Sequence, residues 1–404
     1  MLIFCMANRI VMFFVIISMY YLSYFYRVST AVISPDLMRD FSITAEALGM
    51  LSGFYFYTFA AAQFPLGPIL DKYGPKRTVV FFSFFTISGS LLFALAPSYI
   101  YAVIGRALIG FGVSCAYMAT LKFLSIWFPR DQFATLSALS MAIGNLGALT
   151  ATVPLAAMSS SIGWRKSFLI ITFFTALSAF LIWKFLKDKD VEHSSENPKV
   201  DLLAILKNKN FWIIANMQFF WFGAFVGIQG LWGGPFLMDT FNLSKTEAGK
   251  IISMIAIGFI FGGPMLGFLS DKVFHSRKWV IIAGLSVFMM SLIILSKVSP
   301  DTSIKVLYIT FFIYGFFGSA GIIGYSHAKE RFPLSQAGTV MSWINFFAIF
   351  GAAIFQHFLG VVIDLYQKVG GKYPPEAYRT VFLICTAGIL LSLSLYFFSD
   401  EKED

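Results

Sequence analysis

Two arginines, Arg27 and Arg106, stand inside stretches of chain apolar enough to lie in a bilayer. An ionisable side chain at the middle of a membrane helix costs about 2.5–3.5 kcal/mol on insertion scales, and such a residue marks a substrate or ion pathway by default. Arg27 has Tyr20, Tyr21, Tyr24 and Tyr26 as near neighbours. Its planar fork of donors matches a carboxylate or phosphate, and the tyrosines supply walls and hydroxyls. Taking Pro35 as the outer end of the first apolar run puts Arg27 roughly 10 Å below the surface, at 1.5 Å per residue. Arg106 enters its own run from the same side, so a similar depth is expected. Each has a plainer alternative. Arg27 could be a snorkelling or packing arginine, and Arg106 could serve structure or gating rather than substrate.

Lys122 lies farther along the same run as Arg106, near its opposite end. It reads as an amine snorkelling toward water, or as an inner-gate partner of Asp131 or Glu330. No Asp or Glu falls in the middle of an apolar run; Glu46, Glu247, Glu330 and Asp364 are all at ends. Two embedded cations without an embedded acid suggest that the substrate brings the negative charge. That favours facilitated diffusion or exchange of an anionic or zwitterionic solute. If protons are coupled, a histidine or the substrate's own carboxylate must carry them. The runs hold no paired acids, metal cluster or Ser-His-Asp set, so enzyme chemistry is not expected. A nucleotide loop of the G-x-x-x-x-G-K-[ST] type is also missing, so neither ATP nor any other cofactor is implied.

The elements that must position these residues are membrane helices. The chain has 404 residues, 58% hydrophobic and only 13% charged, where a soluble protein carries roughly 25% charged residues. Twelve apolar runs follow one another, at about 10–33, 47–70, 78–96, 100–126, 133–157, 167–186, 211–236, 249–270, 279–296, 306–326, 336–363 and 380–398. In lipid such runs are helices, because each backbone group must be bonded within its own segment. The first run is too long for a signal peptide and is expected to be retained. Cys5, Cys115 and Cys385 show no metal or disulfide spacing and read as small hydrophobes. The net charge of +9 does not point to nucleic acid. Lys and Arg are in excess on the side that carries both termini, which marks that side as cytoplasmic.

The chain also repeats itself. Gly67, Asp71, Lys72 and Arg77 recur at an offset of 200 as Gly267, Asp271, Lys272 and Arg277, and Phe128-Pro129 and Gly147-Ala148 recur at 204 as Phe332-Pro333 and Gly351-Ala352. Two parallel six-helix halves are therefore expected, 1–186 and 211–404, joined by a polar cytoplasmic linker at 187–210 with a short surface helix at Asp201–Lys207. His193 in the linker reads as a solvated residue. The repeat sets Gly227 opposite Arg27, so the charge belongs to one half alone. The second half offers Asn216, Gln218, Gln229, Tyr314, Tyr325 and Asn345. Each divides between helix–helix glue and substrate contact, and Gln229, nearly level with Arg27 by the repeat, is favoured. His327 and His357 are pH-sensitive groups or packed neutral rings.

The corner pattern resembles that of the major facilitator superfamily, G-x-x-x-D-[RK]-x-G-x-[RK]-[RK]. Gly67, Asp71, Lys72, Gly74, Lys76 and Arg77 match every fixed position; the second copy keeps Gly267, Asp271, Lys272, Arg277 and Lys278 but has Phe274 for the middle glycine. Arg106 and Gly110 match the family's R-x-x-x-G pattern. A narrower likeness, to the phagosomal-transporter group of bacterial amino-acid carriers and more distantly to lysosomal dipeptide carriers, rests on Tyr24-Phe-Tyr-Arg27-Val-Ser, Gly53-Phe-Tyr-Phe-Tyr57, Gln63-Phe-Pro-Leu-Gly67, the Leu121–Pro129 stretch and Gly163-Trp164-Arg165. The glycine-proline motif of exporters is not matched in Gly144–Pro154.

The resemblance implies an all-α membrane protein of twelve helices in two pseudo-symmetric six-helix bundles, with cytoplasmic termini and a cavity lined by the first, fourth, seventh and tenth helices. It also implies gating at the corners, where Asp71 would meet a helix N-terminus of the other half and the basic residues would meet lipid phosphates or acidic loop groups. The expected activity is secondary transport of a small carboxylate-bearing solute across the cytoplasmic (inner) membrane by alternating access. Amino acids or short peptides come first and organic anions next. The solute would bind midway between the halves at Arg27, Tyr24, Arg106, Gln229, Tyr314 and Asn345. A monomer in contact with membrane lipids and with no nucleic acid is expected. The alternatives are a proton-coupled exporter of drugs or metabolites, and a transporter-like nutrient receptor.

Overall fold

The computed structural model describes residues 2–188, 202–332 and 336–400. Among them, eleven helices are long and apolar enough to cross a membrane: α1 (Arg9–Phe41), α2 (Ala45–Leu95), α3 (Tyr99–Trp127), α4 (Thr135–Ile162), α5 (Trp164–Phe185), α6 (Lys209–Phe241), α7 (Lys245–Val273), α8 (Arg277–Ser296), α9 (Ile304–Arg331), α10 (Gly338–Asp364) and α11 (Pro375–Tyr396). Twelve runs give eleven helices because α2 holds two of them. Its 51 residues would reach roughly 77 Å at 1.5 Å each, more than twice the hydrocarbon thickness of about 30 Å. It breaks at Gly74 (φ 77°, ψ 168°), so this one element has room for two of the expected twelve spans. A short helix, Leu202–Lys207, precedes α6; His193 and Asp201 lie outside the described residues.

The chain forms two compact units: Met1–Ile43 with Phe54–His193, and Thr44–Gly53 with Ser194–Asp404. The first nine residues of α2, Ala45–Gly53, thus pack with the second unit, while the rest of that helix belongs to the first.

Several helices outrun the apolar pattern. Pro35 does not end α1, which continues to Phe41. A membrane helix tolerates proline because neighbours re-satisfy the freed backbone groups. Besides Asp40, next to the end of α1, two acids fall inside helices as a result. Asp36 is buried in α1, accepting from Ser159 Oγ at 3.1 Å and paired with Arg39. Asp239 lies in the last turns of α6. Both are near helix ends, so the middle of the spans stays free of acids among the described residues.

Packing depends on backbones that approach closely, the rule where lipid gives no hydrophobic drive between helices. A Cβ on Gly147 would lie 2.1 Å from the Tyr21 carbonyl oxygen, and one on Gly351 2.2 Å from that of Phe219. These are the two glycines that the repeat pairs, doing the same job in each unit. Polar contacts then fix the register. In the first unit hydroxyls meet hydroxyls: Tyr26 bonds Ser90 (2.9 Å) and Thr175 (2.8 Å), and Ser90 bonds Thr172 (2.7 Å). In the second unit, side chains of α6 reach the carbonyls around the 3-10 segment Ser319–Ile322 of α9. Trp221 Nε1 donates to Gly318 O at 2.7 Å and Gln218 Nε2 to Gly321 O at 2.8 Å.

Candidate functional site

Arg27 is 8% exposed, two residues past the midpoint of the 33-residue α1. Fourteen residues separate it from the helix end at Phe41, about 21 Å along the axis. This is farther than the distance to Pro35, because the helix does not stop there. The guanidinium lies 4.5 Å from the Tyr24 ring centroid and 5.7 Å from that of Phe59, within cation–π reach, and it donates a hydrogen bond to the Tyr55 hydroxyl oxygen. Tyr20 extends the wall, edge-on to Tyr24 (5.1 Å) and stacked on Tyr117 (4.9 Å), with its hydroxyl 3.3 Å from that of Tyr24.

Arg106 is fully buried. Its Nη1 donates to the Tyr26 carbonyl at 2.9 Å, and its Cζ lies 4.9 Å from the Tyr55 ring centroid. Nε and Nη2 have no hydrogen-bond partner among the described residues. Tyr55 therefore sits against both cations, with its own hydroxyl donating to the Ser23 carbonyl at 3.0 Å. The first unit thus brings Arg27 and Tyr24 of α1, Tyr55 of α2 and Arg106 of α3 together. Two guanidinium groups in an apolar, aromatic surrounding make a positive field that strongly favours an anion, since charges interact far more strongly there than in water.

The second unit's candidates are dispersed. Gln229 is buried within a π-helical turn, Ile228–Trp232, that interrupts α6; such turns recur at functional sites. Asn345 accepts from the Tyr325 hydroxyl at 3.0 Å, linking α9 and α10. Tyr314 is fully buried, stacked on Phe225, and its hydroxyl donates to the carbonyls of Ala224 (2.9 Å) and Phe225 (3.2 Å). The bonds that hold α6 to α9 thus occupy its one polar group. His327, also buried, is packed as well, 2.5 Å from the Tyr396 hydroxyl and 3.1 Å from the Asp400 carbonyl. Because a carbonyl only accepts, Nε2 carries the hydrogen, and a neutral ring satisfies both bonds.

The charged corners fold differently from each other. In the first, Lys122 Nζ meets Asp71 at 2.7 Å, not Glu330, which pairs with Arg277 at 3.1 Å; the side chain of Asp131 lies outside the described set. The acid that caps a helix start here is Asp188, just after α5. It accepts from Lys76 N (2.9 Å) and Arg77 N (3.4 Å), the role expected of Asp71. Gly74 supplies the left-handed turn. In the second corner a π-helical turn, Leu269–Val273, precedes a left-handed His275 (φ 49°). The turn that Gly74 makes is thus moved one residue on, past Phe274. Arg277 also pairs with Asp271, Lys272 is exposed, and Lys72 lies 5.2 Å from the Tyr73 ring. A Cβ on Gly67 or Gly267 would meet open space, so neither is needed for close approach.

Tyr55, Phe59, Tyr117 and Asp188 were not singled out from sequence. Tyr117 left a signal, following Arg106 by eleven residues, about three helical turns and hence one face. Asp188 left none, since only the fold brings it to the corner.

The Major Facilitator Superfamily model matches residues 12–234 and 230–404. A probable hexose phosphate transport protein of Chlamydia muridarum is 23% identical, over 88% of this chain and 85% of its own. A hexuronate transporter of Bacillus subtilis is 25% identical, over 87% of each. Among solved structures, a bacterial homolog of the human lysosomal transporter Spinster superposes with a TM-score of 0.81 at 17% identity, over 97% of each chain. That likeness concerns the fold alone.

Proposed function

The chain belongs to the Major Facilitator Superfamily, a multi-pass transporter of the inner membrane and not an enzyme, and we propose that it moves a small anionic solute gripped by Arg27. The observation that carries this reading is a guanidinium buried near the middle of α1 in a cage of Tyr24, Tyr55 and Phe59, with the half-bonded Arg106 one residue's carbonyl away. A carboxylate, phosphate or sulfonate would accept the donors of Arg27, and its apolar or sugar part would lie on the rings. Relatives named for hexose phosphate and hexuronate support an anion in general. They lend no weight to the amino-acid preference, so the reading is widened to organic anions and sugar acids or phosphates. Arg106 strengthens the field and holds the Tyr26 peptide in place. The corner residues Gly67, Asp71, Lys72, Gly74, Lys76 and Arg77, with Gly267, Asp271, Lys272 and Arg277, serve the conformational cycle rather than the solute.

A thermal-stabilisation screen of the purified protein tests the charge class. Sugar phosphates, sugar acids and dicarboxylates are set against the matching neutral sugars and against amines. Stabilisation confined to anions, and lost in Arg27→Met, is expected. Stabilisation by neutral sugars that survives Arg27→Met would overturn the reading. A ligand that stabilises but never crosses a liposome membrane would identify a receptor.

A further inference from the structure

The start of α2 is held by residues more than three hundred positions away. Asp364, the last residue of α10, accepts from Ala45 N at 3.0 Å through Oδ1 and from Glu46 N at 2.6 Å through Oδ2. Tyr373, in the following loop, accepts from Ala45 N at 3.1 Å and donates to the same carboxylate. The loop is itself anchored, because Asp239 of α6 accepts from Tyr373 N at 3.3 Å and from the Tyr378 hydroxyl at 2.5 Å. Burial, and then the bond to Asp364, raise the Tyr373 phenol above its ordinary range, so it stays a donor. Backbones touch beside these bonds. A Cβ on Gly49 would lie 2.5 Å from the Gln356 carbonyl oxygen, and one on Gly360 2.5 Å from that of Ala45.

A helix start needs no such outside help here. Thr44 already accepts from Ala47 N at 3.3 Å, an ordinary cap. Asp364 adds a full negative charge on two further N–H groups, where the helix dipole and charge-assisted bonding act together. The segment it grips, Thr44–Gly53, is the one stretch of α2 that packs with the second unit, although the same helix belongs to the first from Phe54 onward. The tip and the remainder of α2 are thus held by different units.

We propose that Asp364 and Tyr373 form a latch on the tip of α2, engaged in one stage of the transport cycle and released in another, and so set which conformation the carrier occupies. Both are positioning residues that act on the helix and not on the solute.

The test uses full-length protein with Cys5, Cys115 and Cys385 replaced and a single reporter, Leu48→Cys. Leu48 is fully buried while the latch is engaged. A membrane-impermeant maleimide is applied from outside and the labelling rate measured without substrate, so the outcome is independent of the anion reading. Asp364→Asn turns an acceptor oxygen into a donor facing an N–H. It should speed labelling by at least about tenfold, the factor that corresponds to about 1.4 kcal/mol. Tyr373→Phe removes one hydroxyl, leaves the ring to fold, and should speed it about threefold. Leu292→Cys, equally buried in α8, reports general loosening and should stay unlabelled in every variant. Equal rates at Leu48→Cys with and without the latch substitutions would overturn the proposal, as would a parallel rise at Leu292→Cys.

Discussion

Two glycines of one corner should respond to the same substitution with opposite signs. Gly74 has φ 77° and ψ 168°, a region that only glycine populates and that costs another residue about 1–3 kcal/mol. A Cβ there would also lie 2.8 Å from Asp188 Oδ1. The carboxylate can swing aside, but only by leaving Lys76 N and Arg77 N, a cap worth about 1 kcal/mol. Gly74→Ala should therefore cost about 2–4 kcal/mol in all. Gly67 is helical and its Cβ would meet nothing within 4 Å. Gly67→Ala should gain about 0.5–1 kcal/mol by restricting the unfolded chain. The two costs at Gly74 are also coupled. Asp188→Ala alone should cost about 1 kcal/mol but add little to Gly74→Ala, which has already displaced the carboxylate. Unfolding of the purified protein in mixed micelles, followed by tryptophan fluorescence across a denaturant series, supplies the four free energies. Strict additivity of the pair would refute the capping argument, and a Gly67→Ala protein less stable than Gly74→Ala would refute the whole account of the corner.

The ion pair of Lys122 and Asp71 has side-chain exposures of 33% and 69%, so a double-mutant cycle should return no more than about 1 kcal/mol; a larger coupling would mean that the pair does more than hold a surface corner. Tyr314→Phe removes the hydroxyl donor from the Ala224 and Phe225 carbonyls, which keep the Ile228 N–H, and should cost about 0.5–1.5 kcal/mol, with substrate affinity unchanged. A loss of affinity without a loss of stability would return Tyr314 to the binding site.

The fold was largely legible because lipid leaves the backbone few options: apolar length suffices to locate the membrane-capable helices. The repeat found Gly147 and Gly351, since backbone contact leaves a fixed residue at a fixed offset. Helix ends were less legible. Pro35 reads as a stop in water but not in a bundle, and that reading ended the first run before Asp36; Asp239 was passed over in the same way past the end of the run at 236. At the site, the arginines announce themselves by their cost in lipid. Tyr55 and Asp188 do not, because a tyrosine or an acid is unremarked until the fold places it beside a guanidinium or a helix start. Tyr314 shows the converse: its type suited a cavity, and only its bonds to α6 reveal its use.

The central claim is that the positive charge of Arg27 binds the transported anion. Flux of the anion identified by stabilisation, into liposomes holding wild type, Arg27→Lys or Arg27→Ala, tests it most directly. A charged hydrogen-bond partner is worth about 1.5–3 kcal/mol, so Arg27→Ala should slow uptake at subsaturating solute by at least about tenfold. Arg27→Lys should retain part of the activity, because it keeps the charge and loses the fork. Wild-type flux from a correctly folded Arg27→Ala protein would contradict the account.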